Sequence, residues 1–229
     1  MIDRLLTGSA EQAAWRSYAR DRLRPVFDRV GWSPGEGEIQ AVALLRESLI
    51  ETLGRLEDPI VVAGARERFA RAPTDPAGMP ASIHDAVLSV VAKHADPATW
   101  DEIRSRAKSA QDPVERQLLF AALGKPLDTA LATRALDTAL APETPRVAAA
   151  RIIGNVAVNH PEQAFDFAVQ HEQAVLEYVD ASSRSAYIPH LAATSTDRAL
   201  ADKVQAYTER AVPADARDAP RRTIASIRL

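Results

Sequence analysis

The sequence predicts an all-α fold: an irregular α-solenoid of antiparallel helical hairpins, HEAT- or armadillo-like, with about 10–12 helices. Three observations predict it. Alanine supplies about one residue in five and aromatics only 5%, and β-branched residues rarely alternate with polar ones, so propensity leans to helix. Many of the fifteen prolines follow a residue that can cap a helix. The segments between these starts are helix-sized and joined by short connections. Short connections place sequential helices side by side, and a dozen helices cannot share one bundle core.

The elements follow in chain order. A helix is expected near 13–20, with Pro25 forcing a kink or a break in the helical stretch around it. Gly31 before Trp32 reads as a left-handed helix stop, as do Gly78 before Met79 and Gly124 before Lys125. Ser33 and Glu36 have capping-box spacing and would open a helix over 36–56, whose stripe is Val42, Leu45, Leu49, Leu53 and Leu56. The pairs Asp58-Pro59, Asp75-Pro76, Asp96-Pro97, Asp112-Pro113, Thr144-Pro145 and His160-Pro161 read as further starts, and Asp112 with Glu115 repeats the capping-box spacing. They give helices near 59–72, 80–94, 97–109, 113–123, 127–140, 145–159 and 161–180. Residues 118–123 are apolar nearly all round, as a helix in the middle of a stack should be. Helices near 184–193, 197–211 and 219–228 complete the chain, the second carrying the stripe Leu200, Val204, Tyr207 and Ala211. No segment has the character of a domain linker, so 1–229 reads as a single helical domain. No crisp sequence repeat is visible, which argues against regular ankyrin or tetratricopeptide arrays.

At 229 residues the chain is long enough to bury roughly 70% of its unfolded surface. It has no cysteine, which excludes disulfides, thiolate metal sites and cysteine nucleophiles. The formal net charge of −3 lacks the basic excess of a phosphate-binding surface, so nucleic acid is a poor partner. No apolar run approaches the ~20 residues of a membrane span, so no membrane association is expected.

Chemistry-bearing groups are thinly scattered. His171-Glu172-Gln173-Ala174-Val175 begins like the zinc-peptidase motif HExxH, but Val175 stands where the second metal-gripping histidine belongs. His84 and His94 are too far apart to chelate together, and with His160 and His190 they read as structural. Glu47 and Glu51 could pair as acid and base, yet Glu51 also precedes Arg55 by four residues, the spacing of a solvated helix face. No GxSxG elbow, P-loop or dinucleotide fingerprint is present. Two arginine-rich stretches remain. Arg16, Arg20, Arg22, Arg24 and Arg29 form one, and Arg217, Arg221, Arg222 and Arg228 the other, both diluted by acidic neighbours. They read as charged solvent faces and helix-end charges, or alternatively as an anion-attracting wall.

The run from Leu23 to Trp32, followed by Leu44-Leu45-Arg46, Ala65-Arg66-Glu67-Arg68-Phe69, Met79-Pro80, Trp100 and the helix from Glu115 to Gly124, resembles the C-terminal helical domain of aminopeptidase N-type zinc metallopeptidases. Ala164-Phe165-Asp166-Phe167 stands where that family has AWxF, and the similarity runs from about Trp15 to the C-terminus. Arg146-Val147-Ala148-Ala149 departs from the family pattern, and His171 stands in place of its asparagine.

The resemblance implies a piece of an enzyme. The family's GxMEN segment and HExxH zinc helix belong to a separate thermolysin-like domain, so no catalytic or metal-binding residue and no cofactor is expected here, the zinc being held on the catalytic domain. The helical domain would cover that domain and enclose the peptide cavity, its partners being the catalytic domain and the peptide substrate. A lid of this kind needs an inner wall near the substrate's C-terminal carboxylate, and a guanidinium holds a carboxylate through two hydrogen bonds. Arg217, Arg221 and Arg222 are the candidates, since three arginines in six positions exceed what capping one short helix requires. The alternative is a free-standing α-solenoid scaffold that binds a protein along its concave face.

Overall fold

The computed structural model describes Asp3, Leu6 and residues 8–229, with the side chain of Pro76 left out. Among the described residues there are thirteen α-helices and no strand, and the chain is 74% helical. None of these helices is long and apolar enough to cross a membrane. The chain forms two compact units, Met1–His94 and Ala95–Leu229. The junction between them is not marked by any glycine-, serine- or proline-rich stretch.

The first unit contains α1 (Glu11–Val30), α2 (Gln40–Arg55), α3 (Pro59–Arg71), a 3-10 turn (Pro76–Gly78) and α4 (Ala81–Lys93). Helix α2 lies at its centre, packed on α1, α3 and α4. Leu49, Ile50 and Leu53 of α2 and Val87, Val90 and Val91 of α4, two helices that pack together, are all buried. The two helices cross closely at Gly54, where an added Cβ would stand 2.3 Å from Val90 Cγ2.

Two expectations need revision in this unit: of the kink or break read at Pro25 the break does not occur, and the Ser33–Glu36 capping box does not open the next helix. Helix α1 runs unbroken through Pro25. Proline removes one backbone hydrogen bond, but contacts on both sides of it hold the helix. Arg20 donates to the carbonyls of Leu56 (3.1 Å) and Glu57 (3.2 Å), Arg24 pairs with Asp58, and buried Phe27 packs edge-on against Trp32 at 5.2 Å. Helix α2 begins at Gln40 rather than 36, without a side-chain cap. Residues 31–39 form a loop instead, fastened from below by Arg46. That side chain is fully buried; its Nε donates to Gly31 O (3.1 Å), Nη2 to Val30 O (3.2 Å), and the guanidinium pairs in a fork with Glu38 at 2.7 and 2.5 Å. Arg46 thus closes the end of α1 as well as the loop. Gly31 does adopt the expected left-handed conformation, φ 64°, and its N–H bonds Phe27 O at 2.7 Å.

The second unit contains α5 (Pro97–Ser109), α6 (Pro113–Ala122), α7 (Thr129–Ala139), α8 (Arg146–Asn159), α9 (Pro161–Gln170), α10 (Glu172–Glu177), α11 (Arg184–His190), α12 (Arg198–Ala211) and α13 (Asp218–Arg228), with 3-10 turns at Ala181–Ser183 and Ala214–Ala216. The helices alternate between two rows. In one row α6 packs on α8 and α11 on α13; in the other α9 packs on α7 and, through Phe165 and Tyr207 edge to face at 6.0 Å, reaches α12. Consecutive helices pack across the rows, as hairpins do. Asp96, Asp112, Asp128 and Asp197 each accept a backbone N–H at a helix start, so the aspartate caps hold with or without a following proline. The expected helix over 161–180 is two helices, broken at His171. That split accounts for the thirteenth helix.

Side chains of one step satisfy the end of the step before it. Asn155 Nδ2 donates to Ala121 O (2.8 Å), Asn159 Nδ2 to Lys125 O (2.9 Å), His160 Nε2 bonds Pro126 O (3.0 Å) and Gln163 Nε2 donates to Thr129 O (3.4 Å), each pair 34 residues apart. Thr194 Oγ1 and Tyr187 Oη repeat the device at a separation of 37, onto Ala157 O (2.8 Å) and Ala150 O (2.7 Å). Within the first unit His94 Nε2 does the same to Gly54 O at 2.8 Å. The last carbonyls of a helix have no intrahelical partner, and Ala121, Ala157 and Gly54 are last-turn acceptors of this kind, while Lys125 and Pro126 lie in the connection after α6 and Thr129 and Ala150 inside helices. The structural repeat is therefore written in bonds between residues that do not resemble one another. Gly124 belongs to this seam: its φ is not left-handed, and it is needed because a Cβ there would stand 2.3 Å from Ile152 O. Gly78 is likewise not left-handed; Asp75 Oδ1 accepts its N–H at 3.2 Å in a turn.

Candidate functional site

The three C-terminal arginines do different things. Arg217 precedes α13 and spends its guanidinium on the end of α12, Nε donating to Val212 O and Nη2 to Glu209 O, both at 2.8 Å. Arg221 is exposed and faces Asp218 at 3.5 Å, a surface pair of little energetic weight. Arg222 is exposed beside it on the same helix. At the far end of α13, Arg228 pairs with Asp202 at 2.6 Å and with Gln205 Oε1 at 2.9 Å. The structure thus leaves Arg221 and Arg222 presented to solvent and commits Arg217 to the backbone.

The N-terminal arginines are not uniformly a solvated face. Arg16 is four-fifths buried between Asp3 (2.7 Å) and Glu57 (2.5 Å), and with Arg20 and Arg24 it ties α1 to the connection between α2 and α3. Arg22 lies over the Tyr18 ring at 5.2 Å, and Arg29 is exposed in the last turn of α1. Glu47 is half-buried and Glu51 exposed on α2.

The histidines occupy separate places. His94 is half-buried at the end of α4, and its partial burial, only partly offset by its bond to Gly54 O, lowers its pKa. His84 meets Asp85 at 3.1 Å, His160 bonds Pro126 O, and His190 is exposed at the end of α11. His171 stands at the joint of α9 and α10, its ring 4.6 Å from that of Phe167, and Val175 one turn on is fully buried. Glu172, next to it, accepts from Tyr207 Oη at 3.1 Å. An imidazole at a helix break, a buried valine and a carboxylate engaged by a phenol do not make a zinc grip. Among the described residues no three His, Cys, Asp or Glu side chains gather closely enough to hold a metal ion.

Sequence reasoning missed one constellation. Two open recesses meet at Arg104 on α5. One is lined by Asp101, Arg104, Ser105, Lys108 and Ser109, the other by Trp100, Arg104, Arg134, Asp137, Thr138 and Ala141. Trp100 is the floor, buried and donating to Leu123 O at 3.0 Å, with the Arg134 guanidinium stacked 4.3 Å above its ring and paired to Asp101. Glu143, from the connection between α7 and α8, reaches Arg104 at 2.6 Å and Lys108 at 3.7 Å, while Arg116 donates to its backbone carbonyl at 3.4 Å. A bond from its own backbone N–H, then the one from Arg104, hold the Glu143 carboxyl below the ordinary glutamate range. Arg104 and Glu143 lie 39 positions apart, and the cluster carries no local motif. The only sequence signal was the excess of cations on α5.

Comparison with known families places the whole chain. The model of the ERAP1-like C-terminal domain matches residues 1–229, a span that includes and extends beyond the resemblance read from about Trp15 to the C-terminus.

Proposed function

Because the chain belongs to the ERAP1-like C-terminal domain family, an accessory domain of aminopeptidases, we propose that it covers the catalytic domain of such an enzyme and encloses the cavity in which the peptide is held. The match over all 229 residues carries this reading. Several of its charged side chains, Arg20, Arg46 and Arg217 among them, serve helix ends, while Arg221 and Arg222 are left on the surface. The contribution of such a domain is desolvation and positioning of the substrate. Zinc would sit on the catalytic domain and activate the attacking water there. This chain's own residues bind and orient.

Arg221 and Arg222 remain the candidates for holding a peptide carboxylate on the inner wall; Arg217 is a weaker one, since its donors already serve Glu209 and Val212. A contact with a remote part of the substrate acts on binding more than on turnover. In the full-length enzyme, Arg221→Ala with Arg222→Ala should raise KM for peptides severalfold and leave a single-residue reporter unchanged. Equal kinetics across peptide lengths would sink the arginine wall. For the enclosure itself, the test is the parent enzyme on peptides of rising length: a closed cavity makes KM depend on length, and a flat dependence defeats it.

A further inference from the structure

We propose that the recess around Arg104 is a binding site for a tetrahedral dianion of the phosphate or sulfate class, and that Glu143 occupies it when no ligand is bound. The inference is independent of the accessory-domain reading.

The cations in and around the recess are Arg104, Lys108, Arg116 and Arg134; the carboxylates are Asp101, Asp137 and Glu143. Arg134 and Asp101 satisfy each other. What remains is Arg104, Lys108 and Arg116 against Asp137 and Glu143, and all three of those cations reach Glu143, through its carboxylate or its carbonyl. Arg104 and Lys108 both address the same oxygen, Oε1, at 2.6 and 3.7 Å, and Arg116 settles for the backbone carbonyl. One carboxylate therefore leaves these donors under-used. Arg104 Nε is buried without a hydrogen-bond partner, a further donor the present arrangement does not satisfy. An oxyanion with four oxygens and two charges would give Arg104 and Lys108 separate acceptors, with Ser105 in the lining; the Ser109 hydroxyl, also there, donates to Arg106 O at 3.2 Å.

The way Glu143 is held suits an occupant that can leave. Its loop is fixed independently: Ala141 N donates to Thr138 O (3.1 Å), Thr144 N to Ala141 O (3.0 Å) and Thr144 Oγ1 to Thr138 O (2.5 Å). The backbone can stay in place while the side chain swings away. The carboxylate is more than a quarter exposed, with solvent beside it.

The test is titration of inorganic phosphate into the full-length protein, followed by phosphorus NMR, with Glu143→Gln as the informative variant. Removing the resident charge should tighten phosphate binding about tenfold, because a competitor and a like charge within a few ångströms are lost together. Arg104→Gln or Lys108→Ala on the Glu143→Gln background should return it to the parent's level; Lys108 is half-exposed, so that variant tests the site even where the arginine variant fails to fold. Sulfate should displace phosphate, and acetate at equal concentration should not. Unchanged binding in Glu143→Gln, tightened binding that survives loss of Lys108, or displacement by acetate as effective as by sulfate would each overturn the proposal.

Discussion

Replacing Gly124 by alanine tests the account of how successive steps of the second unit fit together. Gly124 lies outside the left-handed region, so its backbone accepts a side chain without strain. The obstacle is the neighbouring helix. The new Cβ would stand 2.3 Å from Ile152 O and 3.0 Å from Asn155 Cβ, so α8 must retreat by about 1 Å to reach ordinary contact distance. Overpacking of this kind costs about 1–3 kcal/mol. The retreat also stretches the Asn155 bond to Ala121 O, adding about 1 kcal/mol. A total near 3 kcal/mol lowers the Tm of a chain this size by roughly 6–12 °C. Gly154 is the control, a helical glycine on α8 with nothing within 4 Å of an added Cβ. Gly154→Ala should stabilise by about 0.5–1 kcal/mol through helix propensity. Thermal unfolding followed by circular dichroism measures both. If Gly124→Ala melts with the parent, or Gly154→Ala loses as much as Gly124→Ala, the close seam between α8 and the end of α6 is not what requires glycine.

Other outcomes follow from the same geometry. Arg46→Ala strands Glu38 and the carbonyls of Val30 and Gly31, and should cost about 3–5 kcal/mol in urea unfolding, as expected when one partner of a buried pair is removed. The bond from Arg46 lowers the Glu38 pKa, so its stabilisation is complete above the unfolded glutamate value and lost as pH falls through the lower folded one; Glu38→Gln should flatten the acid limb of the stability curve. Arg217→Ala should destabilise by about 1.5–3 kcal/mol, since two backbone carbonyls lose a charged donor, whereas Arg222→Ala should stay within about 0.5 kcal/mol in the same assay. Asn155→Ala should cost about 0.5–1.5 kcal/mol by removing one of the two donors to Ala121 O, the other being Gly124 N–H at 3.2 Å, and hydrogen exchange should quicken at the end of α6.

Most helix starts were legible because they are local. Asp58, Asp96 and Asp112 precede prolines that are excluded from helix interiors, and each caps as its spacing predicts. What failed was tertiary. Pro25 reads as a kink or a break; the break is avoided, with Arg20, Arg24 and Phe27 anchoring the flanking turns to other parts of the chain. Leu45 reads as part of the apolar stripe of α2, yet it and Leu44 are substantially exposed while Arg46 is buried, because the counter-charge of the arginine and the orphan carbonyls of α1 come from elsewhere. The break at His171 has neither proline nor glycine to announce it. The recess at Arg104 was invisible for the same reason as the missing repeat, since Glu143 and Arg104 meet only after two intervening helices are stacked.

The four bonds from Asn155, Asn159, His160 and Gln163, all separated by 34 positions from their acceptors, make the segments 121–129 and 155–163 read each other like the two edges of a ruler. A single residue inserted inside either segment displaces every bond beyond it by one division, turning the donors on a helix by about 100° away from their carbonyls. The same insertion in the connection at 140–145 lies between the two edges and leaves all four divisions aligned. Length variation in this part of the protein is therefore confined to the outer bends, and the seam itself can change its letters but not its count.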